Sequence, residues 1–277
     1  MVELGLEGYI SYVLVLIAVG VIGGYVAGLF GIGGGVVLVP AFVSVFPNFG
    51  ASHDVLMHSA VATCLALIVP GAVMSTRKQH QQGNLDVTLL RSWLPAIIVG
   101  IVVGVVLMRD IPTTALKLLF VVFLFSATVY AIVKKKPRTG DQGIPPPAPR
   151  AVGGVLIGAL SVMLGIGGGT LAVPFYRFYN YPLKRAIALS SATGGFIGLG
   201  GAIGAIATGW DVAGRPPHSL GYVNLAAFVI LTPCMMVFSP LGSKTGNALP
   251  ERLLNRIYIG FLTVITLYMA YQTYRDF

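Results

Sequence analysis

LFGIGGGVVLVP at residues 29–40 and MLGIGGGTLAVP at residues 163–174 are two copies of one string, 134 residues apart. Seven of the twelve positions are identical: Gly31/Gly165, Ile32/Ile166, Gly33/Gly167, Gly34/Gly168, Gly35/Gly169, Val39/Val173 and Pro40/Pro174. Both copies lie within otherwise apolar chain. Three consecutive glycines leave backbone N–H groups unshielded and let φ become positive. A pair of glycine-broken apolar segments at corresponding places in two halves is the sequence pointer to the substrate site of a secondary transporter.

Composition agrees. The 277 residues are 56% hydrophobic and only 10% charged, with mean hydropathy +0.85; a soluble domain carries about 25% charged residues. The chain is therefore read as an integral membrane protein. Its net charge of +9 is no nucleic-acid signal, because the basic residues lie between apolar segments, where cytoplasmic loops concentrate Lys and Arg. Cys64 and Cys234 fall inside apolar segments and read as small buried hydrophobes rather than a disulfide or metal site. Glu3 and Glu7, with no basic residue near them, argue against a cleaved signal peptide. No Gly-Lys-Ser/Thr follows the glycines, so a nucleotide-cradling loop is not expected. Neither a cofactor, a metal site nor a catalytic residue is expected.

The apolar segments run roughly 9–30, 34–46, 54–76, 87–108 and 113–133, then 151–164, 168–180, 186–208, 221–243 and 252–274. Other marks repeat in the same order: Thr63 with Thr193, Gly83 with Gly221, Pro95 with Pro233, Gly104 with Gly242 and Pro112 with Pro250. The expected architecture is an all-α polytopic membrane protein of two inverted repeats, each with about five apolar helical segments. Its units are an N-terminal transmembrane repeat (1–133), a basic, proline-rich linker (134–150) and a C-terminal repeat (151–277). Placing the linker in the cytoplasm puts the basic stretches around Arg77, Arg185 and Lys244 there too. The loop at 47–54 and both termini then lie outside. Each half crosses an odd number of times, which inverts one half relative to the other. Residues 152–164 make a helix of about 20 Å and residues 170–179 one of about 15 Å, against a hydrocarbon core of about 30 Å. Neither arm spans comfortably, so 151–180 reads as a re-entrant hairpin with its glycines near the midplane. Residues 9–30 are long enough to span, and loop charge does not decide between spanning and re-entry there.

Helix arms beginning at Gly35 and Gly169 would aim their N-termini, with free N–H donors and about half a positive charge each, at the tips. Two such ends form an anion site without a buried cation. The alternative use of these glycines is close helix packing. The candidate contacts are Gly33, Gly34, Gly35, Gly167, Gly168 and Gly169, with Thr63, Thr170, Ser190 and Thr193 as hydroxyl donors. Thr63 and Thr193 could equally hold helices together. His58 is a candidate for proton coupling on its pKa range, or else a structural polar group. Its repeat mate is Ala188. Asp54, Asp86, Asp110, Asp211 and Glu251 all lie at segment ends, whereas a cation carrier would need a carboxylate inside the membrane. Arg91 reads as snorkelling to the cytoplasmic interface.

At these residues the chain resembles the TauE/SafE family, also called the toluene-sulfonate uptake permease family. The resemblance is carried by GLFGIGGGVVLVPAF (28–42), Ala62-Thr63, the second GIGGGTLAVP and Ala192-Thr193. It covers nearly the whole chain. The family pattern often has Thr-Ser where this chain has Thr63-Cys64 and Thr193-Gly194. The resemblance implies a transporter of sulfite, sulfoacetate or related organosulfonates, often an exporter, coupled to protons, in the bacterial plasma membrane. Its partners would be a small anion, protons and the lipid bilayer, with no nucleic acid. A carrier of another anion or of a metal cation is the nearest alternative. A non-transport membrane enzyme or assembly factor would need a nucleophile–base or metal constellation, and none is visible.

Overall fold

Gly83 and Gly221, corresponding positions in the two halves, both take left-handed backbone, with φ of 70° and 55°. Three residues on, the side chains of Asp86 and Asn224 accept hydrogen bonds from Leu89 N and Ala227 N, at 2.9 and 2.7 Å. Each caps the helix that follows. The computed structural model of the chain describes residues 6–30, 34–133 and 143–276. Gly33 and linker residues 134–142 lie outside the described residues. The first half carries α1 (Leu6–Phe30), α2 (Gly35–Val45), α3 (His53–Gln81), α4 (Val87–Asp110) and α5 (Thr113–Val133). The second carries α6 (Pro147–Leu164), α7 (Gly169–Phe178), α8 (Leu183–Thr208), α9 (Leu225–Ala248) and α10 (Glu251–Tyr274). Between α8 and α9, Ser219–Leu220 pairs antiparallel with Val223–Asn224. Eight of the described helices are long and apolar enough to cross a membrane, and α2 and α7 are not. The chain is an all-α polytopic membrane protein.

Lipid tails are as apolar as leucine, so helices in a bilayer are held by close packing rather than by burial alone. Glycine stripes supply that packing at two equivalent places. Along α1, Gly20, Gly24 and Gly28 abut Cys234, Met235 and Ser239 of α9, while Gly242 and Gly246 abut Tyr25 and Leu29 in return. Along α4, Gly100 and Gly104 abut Val155 and Ala159 of α6, while Gly154 and Gly158 abut Trp93 and Ile97. In both pairs the numbering rises together, so both run parallel. α3 and α8 cross antiparallel, with Leu65 against Gly198, Ala72 against Gly195 and a 2.9 Å contact between Ser75 and Ser191. α5 and α10 also run antiparallel, linked by Thr128 and Thr266. Exchanging the halves turns α1–α9 into α6–α4 and leaves α3–α8 and α5–α10 unchanged. The halves are thus interleaved, each first helix lying along the fourth helix of the other half.

Apart from those at the two glycine breaks, the described helix ends fall on two faces. Face A holds residues 46–54, 110–113, 209–224 and 275–276; face B holds residues 78–86, 179–182 and 249–250. Each glycine break makes a hairpin whose two ends lie on one face. For α1–α2 the face is A, where the rings of Tyr12 and Phe49 meet at 4.4 Å. For α6–α7 it is B, where Gly143 N donates to Tyr179 O. One expectation changes here. α6 starts at Pro147, not after Arg150, and its 18 residues reach about 27 Å. The linker's last residues, PAPR, form its first turn, because a proline in the first turn has a preset φ and loses no helical hydrogen bond. The first arm of this hairpin is therefore long enough to span, contrary to the estimate from 152–164.

Candidate substrate site

The two glycine breaks meet. A Cβ on Gly35 would collide with the Gly165 carbonyl, so only glycine allows the approach at this point. Gly34 has φ 34° and serves as the N-cap position of α2; Gly168 does the same for α7. Neither helix has a side-chain cap or an acidic residue in its first turn. The N–H groups of Gly35, Gly167, Gly168 and Gly169 donate to no backbone carbonyl among the described residues. These are the orphan donors of two helix N-termini, and they lie at the inner end of a cavity.

The cavity measures about 450 Å³ and is lined by α1, α2, α3, α7, α8 and α9. Its upper wall holds Gly34, Gly35, Gly167, Gly168 and Gly169, with the buried Ser190 beside them. Ser190 Oγ stands 3.5 Å from where a Cβ on Gly169 would sit. The walls are Leu38, Cys64, Leu67, Ile68, Val173, Ile187 and Met235, interrupted by Ser75, Ser191, Ser239 and Ser243. Ser75, Ser191 and Ser243 lie near the face-B ends of α3, α8 and α9, so the cavity runs from the tips toward face B. Among the described residues, no Asp, Glu, Lys, Arg or His lines it.

On the opposite side of the tips the helices close. Tyr12, Phe42, Phe46, Leu56 and Met57 are buried there. Asn224, fully buried, ties three elements together. Its side-chain oxygen accepts from Tyr12 Oη at 3.1 Å, its backbone N donates to Thr63 Oγ1 at 3.0 Å, and its amide donates to Pro217 O at 2.8 Å.

Of the residues singled out in the sequence, Gly34, Gly35, Gly167, Gly168, Gly169 and Ser190 come together around this cavity. Four others do not line it. Thr63 is fully buried, and its hydroxyl donates to Ser59 O while accepting from Asn224. Thr193 bonds to its own helix, at Leu189 O and Ser190 O, and lies behind Gly168. Thr170 is in the first turn of α7 but not on the cavity wall. His58 is buried toward face A, with Nε2 2.9 Å from Met108 O and its ring stacked on Tyr222. Helix rotation explains these outcomes: Cys64, not its neighbour Thr63, faces the cavity. The serines of α9 were missed. Ser239 and Ser243 are four residues apart and so share a helix face, a signal legible only once α9 is known to border the glycine tips.

Comparison with known proteins supplies the class. The model of the family described as "Sulfite exporter TauE/SafE" matches residues 16–269. The chain belongs to the TauE/SafE family. It is 32% identical over 260 residues to a probable membrane transporter protein of Haemophilus influenzae, covering 94% of this chain and 98% of that one. It is 28% identical over 261 residues to a probable membrane transporter protein of Methanocaldococcus jannaschii, covering 92% and 94%. The probable membrane transporter protein MamO of Magnetospirillum gryphiswaldense matches over 136 residues at 31% identity, covering 48% of this chain and 21% of that one. No solved structure matches. This TauE/SafE member is thus a multi-pass membrane transporter by family, with a cavity at its two helix breaks whose described lining carries no charged side chain.

Proposed function

We propose that the chain is a secondary transporter of a small sulfur-containing monoanion, such as a sulfonate or hydrogen sulfite, working by alternating access around the paired tips. The supporting observation is the meeting of two uncapped helix N-termini at the end of a cavity without charged side chains. The two ends offer about half a positive charge each, which suits one negative charge. A dianion would give up more hydration than these partial charges return. The apolar walls suit a small organic substituent, and the absence of a lining carboxylate favours an anion over a metal cation.

In this reading the two repeats are inverted about the tips, and face B is cytoplasmic. Arg77, Lys78, Arg177, Lys184, Arg185 and Lys244 lie at helix ends on that face, as loop charge requires. Both termini are then outside, the cavity opens inward, and the working direction is export from a bacterial plasma membrane. Coupling to protons falls to His58, the one deeply buried histidine. It lies between the tips and face A, on the route of an inward proton.

The test is binding to the purified protein, read as thermal stabilisation, since a ligand selective for the folded state raises its stability. Small alkyl sulfonates and hydrogen sulfite should stabilise it, and sulfate much less. Stabilisation by divalent cations with none by any oxyanion would overturn the proposal.

A further inference from the structure

Lys117 is 1% exposed, yet it is a charged side chain one turn into α5 at face A. Its Nζ donates to Asp276 Oδ2 at 2.7 Å. The other carboxylate oxygen, Oδ1, lies 3.0 Å from Nε2 of His53, the first residue of α3. Asp276 therefore bridges two helices of the first half from just beyond the end of α10 in the second half. Asp54 approaches His53 Nδ1 at 4.0 Å but is almost fully exposed.

Burying a lysine is costly unless it is paired. Surface packing alone gives no reason to place one here. Lys117, Asp276 and His53 are the described ion pairs within 4 Å that join the two halves. Nearer face B, among the described residues, α3 and α8 meet across the cavity through the neutral pair Ser75–Ser191. Among the described residues, the ionic contact between the halves lies on the closed side. An opening to face A would have to part the starts of α3 and α5 from the end of α10, which Asp276 ties together.

We infer that Lys117, Asp276 and His53 form an ionic latch between the halves that holds face A shut, and that its release is a step of opening to that face. The inference rests on the alternating-access reading, but its test needs no substrate. A single reporter, Ile68→Cys on the cavity wall, is placed in a chain with Cys64→Ala and Cys234→Ala. Its rate of modification by a membrane-impermeant thiol reagent is measured from each face, in intact cells and in inverted vesicles. With the latch intact, labelling from face B dominates. Asp276→Asn should raise labelling from face A by about fivefold or more, the scale on which coupled equilibria commonly shift. The Lys117→Met/Asp276→Leu pair, which removes both charges without orphaning either, should do the same and guards against misfolding of the single variant. Bridging His53→Cys to Asp276→Cys with a short thiol cross-linker should suppress face-A labelling and spare face-B labelling. Unchanged face-A rates in the folded charge variants, or undiminished face-A labelling after bridging, would overturn the latch. Absence of sulfonate binding with a working latch would instead count against the substrate proposal alone.

Discussion

Gly167→Ala/Gly169→Ala separates a binding role of the tips from a packing role. At Gly169 the nearest atom to an added methyl is Ser190 Oγ at 3.5 Å, and at Gly167 it is Ile68 at 3.7 Å. Both are ordinary van der Waals distances, and neither glycine has a positive φ. Alanine at such sites commonly stabilises a fold by about 0.4–1 kcal/mol, because the unfolded chain loses freedom. The methyl groups nonetheless project into the cavity wall where the anion would take the glycine N–H groups. One hydrogen bond to a charged group contributes about 1.5–3 kcal/mol, or roughly ten- to a hundredfold in Kd. The double variant should keep or raise its Tm and lose ligand affinity by that factor for each bond displaced. Gly35→Ala is the internal contrast: its methyl meets the Gly165 carbonyl, so overpacking by about 1–3 kcal/mol or more should lower stability instead. Thermal melts with and without a sulfonate, followed by titration calorimetry on the folded variants, read both quantities. Unchanged affinity in Gly167→Ala/Gly169→Ala would show that the tips are scaffold and that the site is elsewhere.

Two further outcomes follow from polar contacts away from the cavity. Thr63→Val leaves the buried Asn224 N–H without its acceptor, so stability should fall by about 1–3 kcal/mol with sulfonate affinity unchanged; an affinity loss at constant stability would return Thr63 to the site. For Asp276, burial raises the carboxyl, but hydrogen bonds and charge from Lys117 and His53 outweigh it and hold it below the ordinary carboxylate range. A carboxyl depressed in the folded state adds stability in full above its unfolded value, about 3.9, and loses it as pH falls through the folded value. The Tm gap between wild type and Asp276→Asn should therefore close as pH falls below about 4; a gap that persists in acid would rule out this linkage.

The apolar runs were enough to read an all-α membrane protein, and the duplicated GIGGG with the order of Gly83/Gly221 and Pro95/Pro233 pointed to two related halves. They also singled out the glycines of the second tip, which line the cavity. Local chemistry carries that information: glycine runs break helices, and a bilayer admits few alternatives to apolar helix. Which residues face the cavity could not be read the same way. Thr63 and Cys64 are neighbours in sequence, and only the packing of α3 against α8 and α9 turns Cys64 toward the cavity and Thr63 toward Asn224. Hydropathy offers no help, because a helix surrounded by lipid and protein is apolar all round. The start of α6 at Pro147 and the Lys117–Asp276–His53 bridge were equally hidden. The bridge joins residues 159 positions apart. Such a pairing exists only because α5 and α10 lie antiparallel, a fact of tertiary structure that no local pattern encodes.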